Sequence, residues 1–347
     1  MKNIAVIKKK NDKYIIIALT VLLLATAFIS MVIGRFGIPV KQIIITITDF
    51  VNGKITMQDN QSAAVLFAIR IPRICLAVLA GAALAASGAA YQGLFKNPMV
   101  SPDILGVSSG ASIGASIAIL FSFPGYQIQL MAFASGLLAV FMVLAISNAV
   151  VRGNGNLLIM VLAGTVISAL CSAFTSLLKY VADTDTKLPE ITFWLMGSFA
   201  KTGGWRNVII LFVAAAAGTV PLFMLRFKIN VMSFGEEEAQ AMGVNTRQTR
   251  MIIIFCATLL TASTVAICGT IGWVGLIIPH ICRFLVGANY ISLLPASMLA
   301  GGTFMLVVDN VARSVTSGEI PLGILTAIIG APLFIYLLFR GRRGWSS

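Results

Sequence analysis

Charge is scarce in this chain: Asp, Glu, Lys and Arg make up 11% of its 347 residues, acids number 12, and histidine occurs once, at His280. With 58% hydrophobic residues and a mean hydropathy of +0.96, that shortage excludes a soluble globular domain and leaves a multi-span membrane protein. The five cysteines, Cys75, Cys171, Cys256, Cys268 and Cys282, fall inside or at the ends of apolar runs. They lack the paired spacing of a zinc or redox motif and read as small buried hydrophobes. No GxxxxGK[ST] loop occurs, so the chain binds no ATP through a P-loop of its own. Ionisable groups at membrane depth are scarce too, with Asp309 the main candidate, which disfavours an ion-coupled secondary carrier. The formal net charge of +13 does not point to nucleic acid, because the basic residues sit in short loops between apolar runs.

What is present is a series of apolar runs, each long enough to cross most or all of a hydrocarbon core of roughly 30 Å. The first, 14–33, follows Lys2, Lys8, Lys9, Lys10 and Lys13, which places the N-terminus in the cytoplasm. It is too long for a signal peptide and is expected to be retained. Further spans are expected near 69–95, 101–121, 130–151, 157–180, a sixth ending near 227, then 251–268, 273–285, 293–315 and 322–339. Ser101, Pro102 and Asp103 look like the cap and first turn of the third. The expectation is an all-α polytopic membrane protein of about ten transmembrane helices, one domain over 1–347, with both termini cytoplasmic.

Residues 233–250 form the longest polar interruption of the second half. Ser233 followed three residues later by Glu236 predicts a capping box, and Glu236, Glu237 and Glu238 suit a helix N-terminus. Gly243 supplies a stop. The short helix so framed is too polar for lipid and too short to stand alone, so it is either a connector or a docking helix for a soluble partner. On the opposite face Arg70, Arg73 and Arg313 are external cations that the positive-inside rule disfavours. Two readings stay open: they snorkel or pair with a neighbour such as Asp309 or Glu319, or they form a basic patch for an acidic partner.

The fifth span carries Thr165, Ser168, Ser172, Thr175 and Ser176 at steps of three and four, hence on one helix face. Such a hydroxyl stripe serves helix packing or borders an aqueous pathway. Gly106 to Gly110 match the spacing of a nucleophile elbow, but an elbow follows a strand, so an intramembrane serine hydrolase is the weakest alternative. His280 reads as a structural or interfacial residue rather than a ligand, and no metal site is expected. An ion-coupled carrier or a facilitator is the other class kept open. A capped inner helix, an outer basic patch and no internal engine favour the membrane subunit of an ATP-driven importer.

The runs RIPRICLAVLAGAALAASGAAYQGLFKNPMVSPDILGVSSGASIG, GEEEAQAMGV, GTIGWVGLIIPHICRFLVG and EIPLGILTAIIGAPLFIYLL resemble the permease family of type II ABC importers for iron siderophores, heme and vitamin B12. The resemblance spans nearly the whole chain. It implies a single permease domain in the bacterial cytoplasmic membrane, paired with a second permease copy as a homodimer or with a homologous permease. It also implies two cytoplasmic ATPase subunits that hold the ATP and Mg, an external substrate-binding protein, and no cofactor in this chain. By position, ATPase coupling falls on Ser233, Gly235, Glu236, Glu237, Glu238, Ala239, Met242 and Gly243. Binding-protein docking falls on Arg70, Arg73 and Arg313, and the pathway on the fifth span. A cytoplasmic gate falls on Asn154 and Asn156, in a turn, RGNGN, that departs from the family pattern. The cargo expected is an iron siderophore first, heme second and cobalamin third.

Overall fold

A computed structural model describes residues 2–34, 36–58, 60–150, 157–200, 204–316 and 318–341. These form helices and connecting turns, with no strand among the described residues. In order they are α1 (Lys2–Val32), α2 (Val40–Val51), α3 (Gln61–Ala63), a π-helical turn (Ala64–Arg70) running into α4 (Ile71–Leu94), α5 (Val107–Leu120), α6 (Gly125–Val150) and α7 (Leu157–Val181). Then follow α8 (Lys187–Leu195), α9 (Trp205–Met232), α10 (Glu236–Ala241), α11 (Thr246–Cys268), α12 (Val274–Val286), α13 (Tyr290–Ser314) and α14 (Leu322–Gly341). Seven helical stretches are long and apolar enough to cross a membrane, and three shorter apolar helices, Val107–Leu120, Val274–Val286 and Leu322–Leu337, accompany them.

Helices α4 and α11 make the centre. The α4 sequence IPRICLAVLAGAALAASGAAYQGL is dominated by small residues, and in lipid, where helices gain nothing by hiding apolar surface from water, association depends on close van der Waals approach. Gly81 lies against the backbone of Gly301 in α13, and Gly88 against Gly275 in α12, so tightly that a Cβ at either would collide with a carbonyl. Polar groups on α4 are spent on α11: Ser87 Oγ donates to the Ala257 carbonyl at 2.9 Å, and Tyr91 Oη lies 2.9 Å from Thr258 Oγ1. Helices α9, α12 and α13 wrap this pair, while α5, α6 and α7 form a second group that reaches it through α11. Helix α1 leans on α13 from outside.

Short helices that stop within a membrane leave backbone groups that water cannot satisfy, so each end needs a protein partner. Three such ends meet at one junction. Ser198 N donates to the Cys268 carbonyl at 2.8 Å, Leu322 N to Gly197 at 2.9 Å and Gly323 N to Met196 at 2.9 Å. Helix α5 begins six residues later than Ser101 and its neighbours predicted. Ser101 Oγ instead accepts the Asp103 amide at 3.1 Å, and the Asp103 carboxylate accepts the Ser108 amide at 2.6 Å. The reason is close backbone contact: Gly106, at φ +78°, and Ile104 lie against Gly164 and Ser168 of α7, leaving no room for a helix there.

Candidate functional site

Faces are named by the positive-inside rule, the basic start of α1 marking the inner one. There, the expected capping box is not formed. Ser233 terminates α9, and its hydroxyl donates back to the Asn230 carbonyl at 2.6 Å. Gly235 is the residue that precedes α10, at φ +154°, with the Glu238 carboxylate folded over it where a Cβ would clash. The physical reason is that α9 runs on through Met232, so the Ser233 side chain finds a local carbonyl before it can reach an amide of the next helix.

The acids of α10 then divide. Glu236 forms an ion pair with Arg250 of α11, whose residue is buried. A cation buried without an anion is costly, so this pair fixes α10 against α11. Ala239 and Val244 are the apolar anchors of the same corner. Glu237, Glu238 and Met242 are exposed, as is Phe234, at 73% just before the helix. Gly243, at φ +80°, ends the helix as predicted. Beside it a groove of about 520 Å³ is lined by Glu236, Gln240, Arg247 and Arg250. Sequence reading missed Arg250, although a basic residue heading an apolar run inside a compact corner signals a need for a partner.

At the outer face Arg70, Arg73 and Arg313 come together, but they point inward. Arg70 is 4% exposed and donates to the Met31 and Phe36 carbonyls, and Arg313, 8% exposed, donates to Ser30 O at 2.6 Å and Ser30 Oγ at 2.7 Å. These two guanidinium groups therefore satisfy carbonyls at the C-terminal end of α1, where cations are favoured. Arg73 bridges two carboxylates. It donates to Asp309 from Nε at 3.0 Å and from Nη2 at 2.8 Å, and to Glu319 from Nη1 and Nη2, both at 2.8 Å. Asp309 is fully buried and also faces Arg313 Nε at 3.5 Å. Of the two readings open for these arginines, the single chain shows pairing for Arg73, with Asp309 and Glu319, and for Arg313, with Asp309, while Arg70 holds main-chain carbonyls; docking of an external partner at this face concerns the assembled complex.

Along α7, Thr165, Ser172 and Ser176 are exposed, Thr175 is buried and Ser168 is half-buried against Gly106. The hydroxyls of Thr165, Thr175 and Ser176 donate to carbonyls of their own helix at 2.7, 2.9 and 2.9 Å. Three of the five hydroxyls of the stripe thus have their donors spent within the helix, beside exposed Leu170 and Phe174. Asn154 and Asn156 lie outside the described residues. His280 packs edge-on against Phe284, ring centroids 5.2 Å apart. Among the described residues no group of His, Cys, Asp and Glu is arranged to hold a metal. A cavity of about 640 Å³ opens behind α8, walled by Phe193, Trp194, Ser198, Cys268, Glu319 and Pro321.

An all-helical membrane bundle with a short, anchored, acid-tipped helix at its inner face is the form of an ABC transporter permease. The chain belongs to the FecCD transport family, whose sequence model matches residues 22–340. It is 45% identical, over 96% of its length and 98% of the relative's, to the molybdate import system permease protein MolB of Haemophilus influenzae. It is also 39% identical, over 80% and 83%, to a Helicobacter pylori protein named "Probable iron chelatin transport system permease protein". Among solved structures it superposes at a TM-score of 0.85, with 44% identity and coverage of 94% and 99%, on one described as "An inward-facing conformation of a putative metal-chelate type ABC transporter". Members of such a family work with ATPase and substrate-binding partners, and this chain is a multi-pass transport subunit.

Proposed function

We propose that this chain is the membrane-spanning subunit of an ATP-driven importer in the bacterial cytoplasmic membrane. It would cross about ten times with both termini inside, pair with a second copy of itself, carry two ATPase subunits on its inner face and receive cargo from an external binding protein. The observation that carries this reading is the full-length 45% identity to a named import permease. Helix α10, tied down through Glu236 and presenting Glu237, Glu238, Met242 and Phe234, suits the joint with the ATPases. ATP and Mg belong to those partners. Their movement on nucleotide binding and hydrolysis would pass through α10 into α9 and α11 and switch access to a pathway bordered by α7.

For the cargo we favour a compact metal oxyanion of the molybdate class, because a relative matched at 45% identity over 96% of this chain is a molybdate permease. An iron siderophore, the expectation from sequence, becomes the second reading, supported by the iron chelatin relative at lower identity and coverage. Deleting this chain from its host and measuring accumulation of molybdenum and of iron supplied as a ferric siderophore separates them. Loss of molybdenum uptake with iron unchanged is expected, and the reverse result establishes the second reading. In vesicles, the purified chain without its ATPase should accumulate neither cargo against a gradient; uphill accumulation by the chain alone overturns the importer reading.

A further inference from the structure

The two carboxylates that share Arg73 differ in a way that pairing alone does not require. Asp309 lies in α13, fully buried, held by two guanidinium groups. Glu319 lies in the turn between α13 and α14, and its side chain is 26% exposed. Withdrawing Asp309 would strand Arg73 and Arg313 in a buried site, which is prohibitive. Withdrawing Glu319 costs less, because Arg73 keeps its three bonds to Asp309 while the Glu319 carboxylate moves toward water. The cluster therefore contains one fixed and one removable contact.

What the removable contact holds is specific. Two residues after Glu319, Pro321 leads into α14, and the amides of Leu322 and Gly323 donate to Gly197 and Met196 at the end of α8. Ser198 in turn donates to Cys268 O, and Thr270 Oγ1 donates to Leu195 O. Glu319, Pro321, Ser198 and Cys268 all line the cavity behind α8. An ion pair at Arg73 thus anchors the turn that clasps α8, and α8 forms one wall of the cavity.

We propose that Glu319 is a positioning residue, a releasable latch that sets whether α8 is clasped at the outer mouth or free to move into the cavity behind it. This rests on the transport function above only in giving the motion a use; the latch itself is a property of the chain. Cys268 is a built-in reporter, since it is 2% exposed with the latch closed and lies on the cavity wall.

The test uses the assembled complex with Cys75, Cys171, Cys256 and Cys282 replaced by alanine and Cys268 retained. A membrane-impermeant maleimide is added from the outer side, and labelling is followed over time. Glu319→Gln is expected to raise the labelling rate about tenfold, the factor set by losing roughly 1.4 kcal/mol of latch energy. Glu319→Asp should give an intermediate rate, and the melting temperature should stay near that of the parent. Equal rates in parent and Glu319→Gln overturn the latch, as does an increase accompanied by global loss of stability, which would mark Glu319 as merely structural. Cargo uptake in the same preparations is scored separately: labelling that responds in a complex that never imports sinks the transport reading and leaves the latch standing.

Discussion

The outer charge cluster and the inner corner at α10 are built from the same residue types to opposite effect. Outside, three arginines and two acids are turned into the protein, capping α1 and tying α4 to α13 and to the turn that follows it. Inside, one acid of three consecutive ones is spent on a buried arginine, and the next two face solvent. Charge near a membrane face is thus no sign of docking by itself. Pairing within the chain holds the outer groups in place in the single chain, whereas Glu237 and Glu238 stand exposed.

The comparison breaks first at Asp309. Asp309→Ala leaves Arg73 and Arg313 buried beside one remaining carboxylate, a loss of about 3–5 kcal/mol for removing one partner of a buried pair. The expected outcome is sharply reduced recovery of folded protein from membranes, read by size-exclusion of the detergent extract. Normal recovery would mean that the cluster tolerates an uncompensated guanidinium and that its inward pairing is incidental.

A smaller effect is expected at the inner strut. Glu236→Gln keeps the shape but removes the charge facing Arg250, with about 1–3 kcal/mol lost for an imperfectly satisfied buried group. Thermal unfolding of the purified complex should register it. By contrast, Glu237→Lys with Glu238→Lys changes exposed positions, so stability should stay within about 0.5 kcal/mol. Under the importer reading that pair of changes should instead separate ATP hydrolysis from uptake. A double variant that transports normally would remove the two exposed acids from the joint.

Much of this bundle was legible because a run of apolar residues has few alternatives in lipid. The runs at 157–180 and 251–268 became α7 and α11 with little change. Where the reading slipped, the deciding contact was distant in sequence. Ser101 to Asp103 carry the local marks of a helix start, yet Gly164 and Ser168, some sixty residues away, press on Ile104 and Gly106 and delay the helix to Val107. Glu236 looked like half of a cap, but its partner Arg250 sits one helix further on. The arginines are half legible: as cations on the wrong side of the positive-inside rule they demand a reason, and Asp309 supplies one for Arg73 and Arg313, while Arg70 turns to the Met31 and Phe36 carbonyls, which no local pattern marks.

Asp183 sharpens the contrast at its weakest end, since it is an exposed acid on the outer face whose partners are local. Its carboxylate accepts the Thr186 amide at 2.8 Å, the Thr186 hydroxyl at 2.9 Å and the Asp185 amide at 3.0 Å, leading into α8. The Thr186 amide, followed by its hydroxyl and the Asp185 amide, holds the Asp183 carboxyl below the usual carboxylate range. A depressed folded-state pKa means that the turn is favoured above the unfolded value of about 3.9 and loses that support only as pH falls through the folded value. Amide exchange at Thr186 should therefore keep its protection, after correction for the intrinsic pH dependence, down to about pH 4 and lose it below. Asp183→Asn, which keeps an acceptor oxygen but cannot titrate, should abolish that acid step. Protection that persists well below pH 4 would show that the turn is held by the helix behind it, Leu188 N to Asp183 O at 2.8 Å, and not by the carboxylate.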